Sequence, residues 1–113
     1  MLEYCKSLGT VIVGLNSDSS VRRLKGSKRP VNNERDRKYF LESLKYVDKV
    51  FIFEEDTPYD LITKIKPDII VKGGDYTVES VIGKELSEVR IFKYVEGYST
   101  TKVIQDIVNR WNL

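Results

Sequence analysis

The sequence predicts an α/β domain built on a doubly wound, parallel sheet. Short β-branched runs alternate with segments whose apolar residues recur at helical spacing. Strands separated by helices run parallel and connect through right-handed crossovers. No internal repeat or low-complexity stretch interrupts this alternation.

The elements follow in order. Met1, Leu2, Cys5 and Leu8 recur at helical spacing and stop at Gly9, a C-cap. Residues 10–15 (TVIVGL) form a β-branched run, the mark of a strand buried on both faces. Residues 16–33 are polar and basic and are punctuated by Gly26 and Pro30. They read as a long loop, with one helical turn around residues 20–24. A second helix starts near Asn33 and carries Phe40, Leu41, Leu44 and Val47 as one apolar stripe. Residues 49–53 (KVFIF) are the next strand. Thr57 caps the following helix, Pro58 takes its first position, and Leu61, Ile62 and Ile65 form its buried side. Pro67 ends it. Residues 68–72 (DIIVK) are a third strand, which stops at Gly73 and Gly74, and residues 76–82 read as a short helix or irregular. Val89, Ile91, Phe92, Tyr94 and Val95 supply a fourth strand. The last helix opens near Ser99, Thr100 and Thr101 and shows Val103, Ile104, Ile107, Val108 and Trp111 on one face.

With 113 residues, the chain is expected to form a single domain, residues 1–113, with a real core. A fold of this kind opens on a strand at the sheet's centre, whereas this chain opens on a helix. A central strand is therefore expected to be missing, which would leave unpaired apolar edges on its neighbours. The net charge of +2 does not argue for nucleic acid. One basic cluster stands out, however: Arg22, Arg23, Lys25, Lys28 and Arg29, within eight residues. It lacks the interleaved aromatics that stack on bases, so RNA is not the expected partner. The single cysteine, Cys5, permits no internal disulfide and points to a reducing, cytoplasmic compartment. No apolar run approaches the length of a membrane span. The chain has no histidine, which removes His-based metal sites and His general-base catalysis. No metal-ligand spacing is present; Glu54, Glu55 and Asp56 read as surface and helix-terminal charge.

Ligands in open α/β sheets bind beyond the carboxyl ends of the strands, which nominates four loops. The first holds Asn16, Ser17 and Asp18, followed by the basic segment. The second runs from Glu54 to Thr57. In the third, Lys72, Gly73, Gly74, Asp75 and Tyr76 let a backbone approach a flat base or a ribose. In the fourth, Ser99, Thr100, Thr101 and Lys102 converge on a helix N-terminus, which suits phosphate. Arg35, Arg37 and Lys38 sit on the first turns of their helix, where cations are unfavourable. A bound triphosphate or sugar phosphate would compensate them. Neither a dinucleotide fingerprint nor a P-loop is present.

Five co-linear stretches carry a resemblance: residues 15–26 (LNSDSSVRRLKG), 29–32 (RPVN), 53–58 (FEEDTP), 67–76 (PDIIVKGGDY) and 97–101 (GYSTT). Together they resemble the nucleotidyltransferases that include the adenylyltransferase domain of ADP-heptose synthase and the glycerol-3-phosphate cytidylyltransferases. The resemblance implies a Rossmann-like fold and transfer of adenylyl from ATP to a heptose 1-phosphate. The products would be ADP-heptose, a lipopolysaccharide precursor, and pyrophosphate, with Mg²⁺ on the phosphates. It assigns Lys25 and Arg37 to charge stabilisation, as the catalytic residues. Ser99, Thr100 and Thr101 would hold the triphosphate, Gly73, Gly74 and Asp75 would line the nucleotide pocket, and Asn16 and Asp18 would shape the strand end. Family members are often homodimers.

One departure matters. The family's G-x-F-D-x-x-H-x-G-H segment, whose two imidazoles contact the phosphates, would end just before Met1. The expectation is a truncated domain, through a misplaced start or a fragment, with impaired activity on its own. A cytidylyltransferase acting on glycerol 3-phosphate and a non-catalytic nucleotide-binding module are the alternatives.

Overall fold

The computed structural model describes residues 1–74 and 76–93. The expected fourth loop and last helix, with Ser99, Thr100 and Thr101, and also Asp75, lie outside the described residues. Helix α1 (Leu2–Leu8) leads into strand β1 (Ile12–Asn16), followed by α2 (Asp18–Lys25) and α3 (Glu34–Glu42). Then come β2 (Lys49–Phe53), α4 (Tyr59–Ile65), β3 (Ile69–Gly73), a 3-10 turn (Val78–Ser80) and β4 (Glu88–Phe92).

Both strand pairings are parallel, as the α/β alternation requires. Strand β1 pairs with β2 from Ile12↔Lys49 to Asn16↔Phe53. Strand β3 pairs with β4 from Ile69↔Glu88 to Gly73↔Phe92. The four strands form two separate pairs, β1-β2 and β3-β4, with no hydrogen-bonded pairing between them among the described residues.

Side-chain parity shows which helix covers which face. In β1-β2, Leu15 turns toward α3, where it shares a cleft with Phe40. Gly14 turns the other way and meets Leu61 of α4, whose Cδ2 lies 3.2 Å from where a Cβ would stand. In β3-β4, Gly73 faces the Met1 thioether at the head of α1, and Phe92 packs on Tyr4 of α1 with ring centroids 5.8 Å apart. On the opposite face Ile70 and Ile62 of α4 meet over Gly83. Helices therefore cover both faces, which is the doubly wound arrangement expected. Among the described residues the buried apolar side chains are Val11, Val50, Phe53 and Val81.

Three helices differ from expectation for local reasons. Residues 18–25 are a helix of eight residues, where a loop with one turn was expected. Ser17 caps it by accepting the Ser20 N–H, with Asp18 in its first turn and Arg22, Arg23 and Lys25 in its last. The basic cluster thus occupies the helix end that favours cations. Helix α3 begins where Asn33 predicts but ends at Glu42, so Leu44 and Val47 leave the stripe and Phe40 stays 64% exposed. Helix α4 starts one residue later than expected, with Pro58 itself at the cap and no side-chain capping bond. No helix among the described residues is long and apolar enough to cross a membrane.

Candidate active site

The carboxyl ends of β1 and β2 are tied together before any side chain can face a ligand. Beyond Asn16 the chain turns directly into α2, and the Ser17 N–H donates to the Phe53 carbonyl at 2.9 Å. Ser17 and Ser20 are fully buried, at 1% and 0% exposure. The Ser20 hydroxyl donates to the Glu55 carbonyl at 2.8 Å and accepts from the Asn16 amide at 3.0 Å. Arg23 adds a bond to the Asp56 carboxylate at 2.8 Å and a second to the Glu54 carbonyl. The loop after β2 is thereby fastened to α2 along its length.

The first turns of α2 and α3 face each other and exchange partners. The Asp18 N–H donates to the Glu34 carboxylate at 3.1 Å, satisfying a free donor at the α2 terminus. In return, the Arg37 guanidinium pairs with the Asp18 carboxylate at 3.0 Å and donates through Nε to the Asn32 carbonyl at 3.0 Å. Both members of the ion pair are only about one-fifth exposed, at 20% and 22%, so water screens this pair less than a surface one. The anion that compensates Arg37 is therefore Asp18, within the chain; no ligand is needed for it. Glu34 and Asp36 offset the remaining charge of the α3 first turn.

Asn16, Asp18 and Arg37 are thus brought together. Lys25 is not part of that group: it ends α2, about 10 Å along the helix axis from Asp18. It is exposed, and Arg22, Lys25 and Lys28 form no ion pair among the described residues. Gly73 and Gly74 end β3 in the other strand pair, where the Gly74 N–H donates to the Phe92 carbonyl at 2.9 Å. Gly74 is buried and has φ 118, a left-handed conformation that a side chain would strain. Beside it the Lys72 ammonium lies 4.6 Å from the Tyr76 ring centroid, a cation–π contact.

Sequence reasoning missed Ser20, Glu34 and Asn32. The Ser17–Ser20 capping pair was a readable signal, whereas the Asp18–Arg37 and Asp18–Glu34 contacts span 19 and 16 residues and leave no periodic trace. Chemically, the arrangement offers a half-buried guanidinium and exposed cations at the carboxyl end of β1, a donor set suited to polyphosphate. No group of three or more His, Cys, Asp or Glu stands together among the described residues.

Relatives share this chain at high identity. Bifunctional protein HldE of Sulfurimonas denitrificans is 58% identical over 108 residues, covering 94% of this chain and 23% of that protein. The HldE protein of Nitratiruptor is 57% identical over 106 residues, covering 92% and 23%. That of Helicobacter pylori is 53% identical over 113 residues, covering 98% and 24%. The chain spans about a quarter of the length of these curated relatives. Among solved structures, the lipopolysaccharide core biosynthesis protein from Thermoplasma volcanium matches with a TM-score of 0.64 at 28% identity, covering 87% of this chain and 83% of that one. The cytidylyltransferase-like family model matches residues 1–106, nearly the whole length over which the parallel strands and their site loops are strung, and the chain belongs to that family.

Proposed function

We propose that this chain supplies the nucleotidyl-transfer site of an ADP-heptose-forming enzyme, moving adenylyl from ATP to a heptose 1-phosphate. The observation that carries the reading is the half-buried Asp18–Arg37 pair at the carboxyl end of β1, with the exposed Arg22 and Lys25 further along α2. The high identity to HldE proteins and the five co-linear motifs support it. In the reaction, a phosphate oxygen of the sugar 1-phosphate bonds to the α-phosphorus of ATP in line. The bond from that phosphorus to the β-bridging oxygen breaks, and pyrophosphate leaves with the electron pair. No covalent enzyme intermediate is required, so the protein's contribution is positioning and charge stabilisation. Mg²⁺, when bound, neutralises the phosphate oxygens.

Within this reading Lys25 reaches the phosphates, and Arg37 turns part of its fork from Asp18 to an incoming oxygen. Asn16 and Asp18 shape the β1 end, and Gly73, Gly74 and Asp75 present backbone to the nucleoside. Ser99, Thr100 and Thr101 bind the triphosphate. The chain contains no imidazole, and each missing transition-state donor lowers turnover by about 10²–10³-fold. Turnover by this chain alone is therefore slow. We place the reaction in the cytoplasm, where nucleotide and sugar phosphate are available.

The test is calorimetric titration of the chain with ATP and with CTP, each with Mg²⁺, followed by product assay. The expected result is one ATP site, CTP bound more weakly, and slow ADP-heptose formation from heptose 1-phosphate. Preference for CTP with glycerol 3-phosphate would transfer the reading to the cytidylyltransferases. Binding without any product would leave a non-catalytic module, and binding of neither nucleotide would refute the site.

A further inference from the structure

We propose that the cleft between α3 and the end of β1 seats the sugar ring of the acceptor, with Asp36 and Phe40 selecting that ring. This placement rests on the nucleotidyl-transfer reading above and adds to it where the sugar binds. The cleft has a volume of about 580 Å³, and Leu15, Asn32, Asp36, Arg37 and Phe40 are among the residues that line it. Pockets that hold one small ligand span about 300–1,000 Å³.

Its polar groups change character along α3. Arg37 bonds to Asp18 through Nη2 and to the Asn32 carbonyl through Nε, which leaves Nη1 without a partner among the described residues. Asp36, one residue earlier, is exposed, and its carboxylate makes no ion pair or hydrogen bond among the described residues. Phe40 lies four residues beyond Asp36 on the same helix face, about 6 Å along the axis. It is 64% exposed although it lines the cleft with Leu15 and Leu41. A cation, an unpaired acid and an open aromatic ring therefore stand within little more than one helical turn.

This order suits a molecule with one anionic end and one neutral, hydroxyl-rich end. A phosphate drawn to Arg37 is repelled by Asp36, which keeps the anion from moving further along the helix. An ionised carboxylate only accepts hydrogen bonds, so whatever meets it must donate, as the neighbouring hydroxyls of a sugar do. The C–H bonds on one face of a sugar ring carry slight positive charge and match the negative face of the Phe40 ring. A nucleobase could stack there but offers Asp36 a single amino group. Glycerol 3-phosphate offers hydroxyls but has no ring to lay on Phe40. Of the three, a sugar 1-phosphate alone supplies the anion, the donors and the ring face together.

The test titrates the ¹⁵N-labelled chain with heptose 1-phosphate, glycerol 3-phosphate and inorganic phosphate and follows amide chemical shifts. Heptose 1-phosphate should move Asn32, Asp36, Arg37 and Phe40; the other two should move Arg37 but not Phe40. Asp36→Asn should weaken heptose 1-phosphate about 10-fold, through lost charge-assisted hydrogen bonds, while inorganic phosphate binds as well or better. Phe40→Leu should weaken the sugar phosphate about 3- to 10-fold, and Phe40→Trp should restore it. Both side chains are exposed, so melting temperatures should stay near that of the parent chain. Equal tightening of both anions by Asp36→Asn would make the acid a purely electrostatic element and overturn the proposal. Sugar-phosphate shifts outside the cleft, or none, where ATP still binds would overturn it and leave the underlying reading intact. If neither ATP nor sugar phosphate binds, both fall. Cleft shifts that grow with protein concentration without ligand would assign the cleft to a second copy, and they too would overturn it.

Discussion

The two strand pairs end differently at their carboxyl ends. The β1-β2 end is knit by side chains: buried Ser17 and Ser20, the Asp18–Arg37 pair, and Arg23 bonded across to the loop after β2. The β3-β4 end is closed by backbone, with Gly74 donating to the Phe92 carbonyl and no side-chain bond among the described residues there. The first arrangement holds charge in a fixed place. The second is held by main-chain bonding, with Gly74 buried and Gly73 against the Met1 thioether. The proposed function divides a nucleotide between the two, with phosphates on the side-chain half and nucleoside on the backbone half.

Four substitutions would break or sharpen that contrast, taken from the largest effect to the smallest. Arg37→Ala removes the proposed phosphate partner and strands Asp18 half-buried. It should weaken ATP about 10- to 100-fold by calorimetry and lower the melting temperature as well. Lys25→Ala is the control: it should weaken ATP by about 10-fold while stability stays within about 0.5 kcal/mol, because Lys25 is exposed. Ser20→Ala leaves the Asn16 amide and the Glu55 carbonyl without their shared partner. Denaturant unfolding should show a loss of about 1–3 kcal/mol. On the backbone half, Gly74→Ala forces a Cβ into a left-handed conformation and should cost about 1–2 kcal/mol, read in the same way.

The smallest effect lies away from both ends. The hydrogen bond from Lys6, then that from the Val11 N–H, holds the Asp48 carboxyl below its ordinary value. A depressed folded-state value means stability present above the unfolded pKa and lost as pH falls through the folded one. Asp48→Asn should therefore lower the melting temperature slightly at neutral pH. The difference from the parent chain should vanish in acid, below both values.

Much of this was legible in the sequence, for identifiable reasons. The parallel strands and α3 followed from periodicity and from Asn33, signals confined to a few neighbouring residues. Helix α2 was harder, because its exposed turns need no apolar stripe and its serines and cations read as loop. Its cap, Ser17 with Ser20, was the one local clue. Asp18, Asn16 and Arg37 were nominated singly, but their mutual contacts depend on two helix termini meeting in space. That is also why the charge on Arg37 read as a vacancy for ligand when Asp18 already fills it.

The central claim is that nucleotide binds across the carboxyl ends of β1 and β3. It is tested most directly by mapping amide chemical shifts of the ¹⁵N-labelled chain during ATP titration with Mg²⁺. The account predicts that shifts concentrate at Asn16, Asp18, Lys25, Arg37, Gly73 and Gly74, with Ile12, Lys49, Ile69 and Glu88 at the opposite strand ends unmoved. Shifts gathered at those opposite ends, or none at saturating ATP, would contradict it.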